Sequence, residues 1–191
     1  PSTWGPPAEV ILDIPGEDLF IPFFEYAGSN FALARFNSSL EEPELILTSS
    51  SSERNLKQEI WISERLLEGG DGMDIILRDD SGNVYGVKIH SNWTDTRSLS
   101  SDDIILEDIE GDIELGDVTG DGEKDLLHLL QNGTGLEIID GPFPNTIGKA
   151  FLPFPDPMDR IISGLDITGD TISDLIAWKN DGSETLVMVY H

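Results

Sequence analysis

The chain has 191 residues, 38% of them hydrophobic and 25% charged, enough to bury a core as one domain. Its 37 Asp and Glu against 11 Lys and Arg leave a net charge of −26, which repels phosphate backbones and anionic lipid and argues against nucleic-acid binding. Cysteine is absent, which removes disulfides, thiolate catalysis and Cys-based metal sites, and no apolar run reaches the ~18–20 residues of a membrane helix, so membrane insertion is not expected.

In chain order, residues 1–30 read as an N-terminal arm with leading strands, Val10–Ile14 among them. Short runs of Ile, Leu, Val and aromatics follow at Phe31–Phe36, Glu44–Leu47, Gln58–Ile62, Asp74–Leu77 and Val84–Ile89. They continue at Asp103–Leu106, Ile113–Leu115, Leu126–Leu130, Leu136–Ile139, Asp174–Trp178 and Thr185–Tyr190. Gly, Asn, Asp, Ser and Pro punctuate them, the pattern of strands and turns. "RDDSGNVY", "LQNGTGLE" and "KNDGSETL" read as hairpin connections. Helices are conceivable at Asn55–Leu67 and Asp125–Gln131, but the central "IWI" of the first and the short length and Asn-Gly end of the second favour strand.

The runs repeat. Asp125-Leu126-Leu127 and Asp174-Leu175-Ile176 stand 49 residues apart, and Asp74-Ile75-Ile76 lies 51 residues before the first of them. Glu44 is a weaker fourth anchor. Four-stranded propeller blades repeat every ~40–50 residues. The expected fold is therefore all-β, a propeller-like array of three to four short antiparallel blades over 31–191, divided near 31–63, 64–110, 111–159 and 160–191. The chain ends after the strand-like "TLVMVY", and Ala8–Ile14 is apolar enough to supply an edge strand to the last blade or to a neighbouring copy; a tail lying on the surface is the alternative.

Two of the anchors close unusually acidic loops. Asp117, Thr119, Asp121, the carbonyl of Glu123 and Asp125 occupy positions 1, 3, 5, 7 and 9 of D-x-T-G-D-G-x-x-D. In a tight loop, alternate groups turn to one centre and form a hard oxygen cage suited to Ca²⁺. Gly122 at position 6 permits a left-handed turn. Without a cation, three crowded carboxylates repel. The second loop offers Asp166, Thr168, Asp170, the carbonyl of Ile172, and Asp174, but Thr171 stands at position 6 and should weaken the site. An EF-hand would need an acid at position 12, where His128 and Ala177 stand. The other reading is a plain Asp/Gly turn whose carboxylates cap backbone N–H groups. "EGGDGMD", Glu68–Asp74, is one residue short of the pattern and reads as a relic.

"DVTGDGEKDLL", "DITGDTISDLI" and the following "GLEIIDGPFP" resemble the calcium loops and adjoining strand of FG-GAP and VCBS repeats, over Ile113–Tyr190. The resemblance implies a β-propeller scaffold with calcium in loops at one end, extracellular location, and roles in adhesion, recognition or architecture. Copies of the chain itself, another protein or a glycan are the partners it suggests. Sequons at Asn37, Asn92 and Asn132 fit a secreted glycoprotein, as they fit polar loops.

No catalytic motif stands out, and an enzyme is not expected. His128 alternates with leucines and reads as a satisfied core or edge histidine, while acid pairs such as Asp102/Asp103 and Glu107/Asp108 are unavoidable in so acidic a chain. Trp4, Trp61, Trp93 and Trp178 could stack on sugars or pack between strands. The expected function is a calcium-stabilised extracellular binding or structural module, in adhesion or as a subunit of a fibre or surface assembly. The alternative is a lectin-like domain or a non-catalytic part of a polysaccharide-active enzyme.

Overall fold

In the computed structural model, the described residues are 4–7, 12–13, 19–25, 31–36, 44–49, 56–64, 67, 73–89, 97–143, 149–180 and 185–190. The fold is all-β. Strands β1 (Trp4–Pro7), β2 (Leu12–Asp13), β3 (Leu19–Glu25), β4 (Phe31–Phe36), β5 (Glu44–Thr48), β6 (Leu56–Glu64), β7 (Met73–Asp79) and β8 (Val84–Ile89) make the first part. They are followed by β9 (Arg97–Ser98), β10 (Ile104–Leu106), β11 (Gly111–Gly116), β12 (Asp125–Leu130), β13 (Gly135–Ile139), β14 (Lys149–Pro153), β15 (Arg160–Leu165), β16 (Asp174–Asn180) and β17 (Thr185–Tyr190). Both segments that could have been helical, around β6 and β12, are strands.

The strands form four small sheets, ordered β1-β3-β4-β5-β9 with β2 on β3, β10-β8-β7-β6, β11-β12-β13-β14 and β15-β16-β17. Among the described residues the strands pair antiparallel except for the short parallel contact of β5 with β9, and an isolated parallel bridge joins Leu67 to Phe143. The leading strands of residues 1–30 belong to the first sheet. The described part of the Ala8–Ile14 segment, Leu12–Asp13, pairs with Leu19–Phe20 there rather than with the last sheet. Strand β6, placed by spacing at the end of the first blade, lies beside β7 in the second sheet. Spacing marks where a strand is but not which neighbour it bonds, and that pairing is set by the turns around it.

By compactness the chain divides into two units, residues 1–60 with 75–107, and residues 61–74 with 108–191. The first unit carries a core that includes Phe31, Leu33, Ile46, Leu47, Ile75, Leu77 and Tyr85, all at most 1% exposed. Its β7–β8 hairpin closes on Asp79, which accepts hydrogen bonds from Ser81 N, Asn83 N, Asn83 Nδ2 and the Tyr85 hydroxyl at 2.8–2.9 Å. Burial alone would raise the Asp79 pKa, but these donors, Asn83 foremost, outweigh it and hold the carboxyl below its ordinary 3.8.

The second unit holds the two acidic loops. Strand β12 is central in its sheet, bonded to β11 from Leu126↔Leu115 to Leu130↔Gly111 and to β13 from Leu126↔Ile139 to Leu129↔Leu136. Five of its six residues are buried, so its sequence "DLLHLL" shows no inside/outside alternation. Leu127, Leu129 and Leu136 face Ile161, Leu175 and Ala177 of the last sheet, with Phe154 and Met158 filling the seam. Gly116 marks the close approach: a Cβ there would lie 2.2 Å from Ser163 Oγ. His128 is buried among these strands, with Nδ1 3.1 Å from Glu137 Oε2 and Nε2 against the Glu110 carbonyl.

Candidate metal centre

Each acidic loop runs from the end of one strand to the start of the next, β11 to β12 and β15 to β16. The closing residues, Asp125 and Asp174, are the first residues of buried central strands and are themselves 0% and 2% exposed. The other side chains of the set lie nearer the surface. Asp117 and Glu123 are half-buried, Thr119 and Asp121 exposed; Asp166, Thr168 and Asp170 are exposed, and Ile172 is half-buried.

The two loops share one internal wiring. Asp117 accepts from the N–H groups of Gly120 (2.7 Å) and Gly122 (3.0 Å), and Asp166 from those of Gly169 (2.5 Å) and Thr171 (2.9 Å). Asp121 accepts from Glu123 N at 2.9 Å, and Asp170 from Ile172 N at 3.0 Å. Asp125 Oδ2 accepts from Val118 N (2.8 Å) and Thr119 N (3.0 Å), and Asp174 Oδ2 from Ile167 N (2.6 Å) and Thr168 N (2.9 Å). Asp166 Oδ1 also accepts from Asp170 N (3.1 Å), and the threonine hydroxyls differ, Thr119 Oγ1 donating to Asp125 and Thr168 Oγ1 to Asp166, but these backbone bonds recur at three positions 49 residues apart. The relic loop keeps one of them: Asp74 Oδ2 accepts from Leu67 N at 2.8 Å, the same seven-residue reach as Asp125 to Val118 and Asp174 to Ile167.

The loops also touch. Ser173 N donates to the Asp117 carbonyl at 2.8 Å, and a Cβ on Gly120 would meet Ile172 Cδ1 at 2.9 Å. The sequence did not show this adjacency, since it arises from packing β11 against β15. Backbone conformation at position 6 matches the demand placed on it. Gly122 has φ +90° and Thr171 has φ +76°, a left-handed value that costs a β-branched residue roughly 1–2 kcal/mol.

The carboxylates therefore do what a plain Asp/Gly turn would have them do, and among the described residues no three His, Asp or Glu side chains stand gathered around a common point. Such capping does not use up the donor set. A carboxylate oxygen has two lone pairs, so one that accepts an N–H can also ligate a cation. The fit to a hard cation rests on two groups. Asp125 is raised by burial to about 6, the N–H groups of Thr119 and Val118 oppose this, and the charge of Asp140 adds to it. Asp140 Oδ1 is buried and has no hydrogen-bond partner among the described residues. Two neighbouring carboxylates, one wholly buried and one with an orphaned oxygen, suit an all-oxygen Ca²⁺ environment. Asp140 was not among the ligand candidates of the sequence; it lies in "GLEIIDGPFP", which was noted there only for its likeness to the strand adjoining such loops.

Of the sequons, Asn132 sits in the exposed β12–β13 turn, its Oδ1 accepting from Thr134 N and Oγ1. Asn37, Asn92 and Trp93 lie outside the described residues. Trp178 is half-buried on the last sheet. Ser100 caps a short 3₁₀ turn, and Asp103 within it accepts from Ser100 N and pairs with Arg97.

No family model matches the chain, and neither a curated protein nor a solved structure does.

Proposed function

We propose that this chain is a calcium-stabilised, FG-GAP/VCBS-like β module that works outside the cell as a binding or structural element. The observation that carries the reading is the duplicated wiring of the two loops: the same three carboxylate positions receive the same backbone N–H groups 49 residues apart. The loops are acidic, oxygen-only and adjacent, and each is tied through a buried Asp to a core strand. A cation there would neutralise the crowded charge and lock β11 to β12 and β15 to β16. In such a module calcium is structural and drives no reaction. The acidic surface suits salt-rich surroundings, where self-repulsion is screened. Adhesion, or membership of a fibre or surface assembly, is the role this scaffold serves.

Thermal unfolding in calcium and in chelator tests it. Free calcium at 100 times Kd adds about 2.7 kcal/mol, a rise in Tm of roughly 5–10 °C for a chain of this size. Superimposable melts, with no metal retained in native mass spectrometry, refute the proposal.

A further inference from the structure

We propose that the outer face of the last sheet is a self-association surface, on which a second copy of this chain packs face to face about a twofold axis. The inference gives the assembly reading above a surface and a partner, and it does not draw on calcium.

The sheet β15-β16-β17 buries one face and leaves the other open. Ile161, Leu175 and Ala177 belong to the seam with the β11–β14 sheet. Side chains alternate along a strand, and directly paired residues share a face. The registers Ile162↔Ile176↔Val189 and Trp178↔Val187 therefore place these five apolar side chains together on the opposite face. Ile162, Val187 and Val189 are 37–55% exposed, and Leu165, across from Asp174, extends the patch. A contiguous exposed apolar face of this kind marks a contact surface.

The repeat shows what such a face receives. Leu127 and Leu129 stand 49 residues before Ile176 and Trp178. Their ladder partners Ile138 and Leu136 answer to Val189 and Val187. In the β11–β14 sheet those four side chains are the ones that pack against the last sheet. The last sheet thus repeats a sheet-docking face, and there it is open to solvent.

A second copy fits it for two reasons. Among the described residues, every large exposed hydrophobic besides Phe151 lies on β15, on β17 or in the loop after β15. A second copy therefore offers this same face, and a face matched to itself closes by a twofold instead of growing into a chain. Charge then selects the axis. Arg160, paired with Trp178 on the open face, begins β15, and the acidic loop closed by Asp174 follows the other end of that strand. With the axis crossing the strands, each Arg160 lies towards the acidic loop of the other copy; with the axis along the strands, like-charged loops would meet. Three strands about 4.8 Å apart and about 20 Å long present roughly 300 Å² a side before side-chain relief is counted. That is the size of a transient contact, so the dimer should have a micromolar Kd.

Sedimentation velocity on the full chain from about 1 to 200 μM tests it. It is run with calcium and with chelator, at about 0.15 M salt, where the −26 charge of each chain is screened beyond about 8 Å. The parent should pass from monomer to dimer across that range in both buffers. Val187→Lys sets a charge into the apolar face and should raise Kd about 100-fold or more. Arg160→Glu should raise it about tenfold without touching the apolar contact. Val187→Thr keeps the branched strand-forming shape, should weaken the dimer in the same direction, and should melt like the parent at about 1 μM, where both are monomers. A parent that stays monomeric, a dimer indifferent to the substitutions at Val187 or Arg160, or association that continues past the dimer overturns the inference. A chain that dimerises in this way but melts identically with calcium and with chelator leaves it standing while the calcium reading falls.

Discussion

Replacing Asp125 by Asn should stabilise the protein when calcium is absent and destabilise it when calcium is present. Asp125 is fully buried, and its folded-state pKa is about 6 against an ordinary 3.8. A difference of roughly two pH units corresponds to about 3 kcal/mol. Asp121 and Gly122 beside it are exposed, so water screens part of this, and about 1–3 kcal/mol is the working range. The sign follows from which state holds the proton more tightly. The folded state does, so this contribution is fully present below pH about 4 and is lost as pH rises through about 6. At pH 7 the calcium-free protein carries the whole penalty. Asn has no charge to bury and keeps an oxygen to accept from Val118 N and Thr119 N. In calcium-free buffer at pH 7, Asp125→Asn should therefore unfold at higher urea than the parent, and the gap should close towards pH 4. Saturating calcium should reverse the order, because the variant loses the closing ligand. Urea titrations at pH 4.5 and 7, with and without calcium, supply the four comparisons. A variant that is less stable than the parent in calcium-free buffer at pH 7, or a gap that does not change with pH, would refute the reasoning.

At position 6, Thr171→Gly should gain roughly 1–2 kcal/mol by releasing a left-handed threonine, and Gly122→Thr should lose a similar amount in a loop where a Cβ meets no atom within 4 Å; equal melting temperatures for parent and both variants would show that φ is not the constraint. Gly133→Ala should cost roughly 2–4 kcal/mol, since its Cβ would lie 2.2 Å from the Met158 carbonyl oxygen at φ +69°; chemical denaturation within 0.5 kcal/mol of the parent would contradict that close approach. Tyr85→Phe removes the hydroxyl donor to Asp79 and should cost about 1.5–3 kcal/mol at neutral pH. Because the Asp79 pKa is depressed, that loss should shrink as pH falls below 3.8 through its folded value, and a pH-independent loss would assign it to packing instead.

Much of this was legible in the chain. The strands at Phe31–Phe36 and Val84–Ile89 fall on the residues their apolar runs marked, and Asp125 and Asp174 begin strands as their place before Leu-Leu and Leu-Ile suggested. Strands β14 and β15 escaped notice. Lys149–Pro153 is an edge strand with four of five residues exposed, and Arg160–Leu165 carries an irregular register between Ile162 and Leu165, so neither shows a clean two-residue period. The parallel contact of β5 with β9 joins Leu47 to Arg97, a separation no local pattern reveals.

For the site, the sequence alone determined which oxygens are available and at what spacing, because a nine-residue loop with Asp at 1, 5 and 9 and a turn residue at 6 constrains its own backbone. It also determined that the second loop must bend through an unfavourable threonine, since φ at that position is a local quantity. Only the tertiary structure decided that Asp125 is wholly buried, that the charge of Asp140 bears on it, and that Ser173 bonds the first loop to the second. Those relations depend on which strands pair and how closely two sheets approach. Burial and the orientation of a neighbouring carboxylate are properties of that packing, and the packing sets both the charge cost in the loop and the residues that can relieve it.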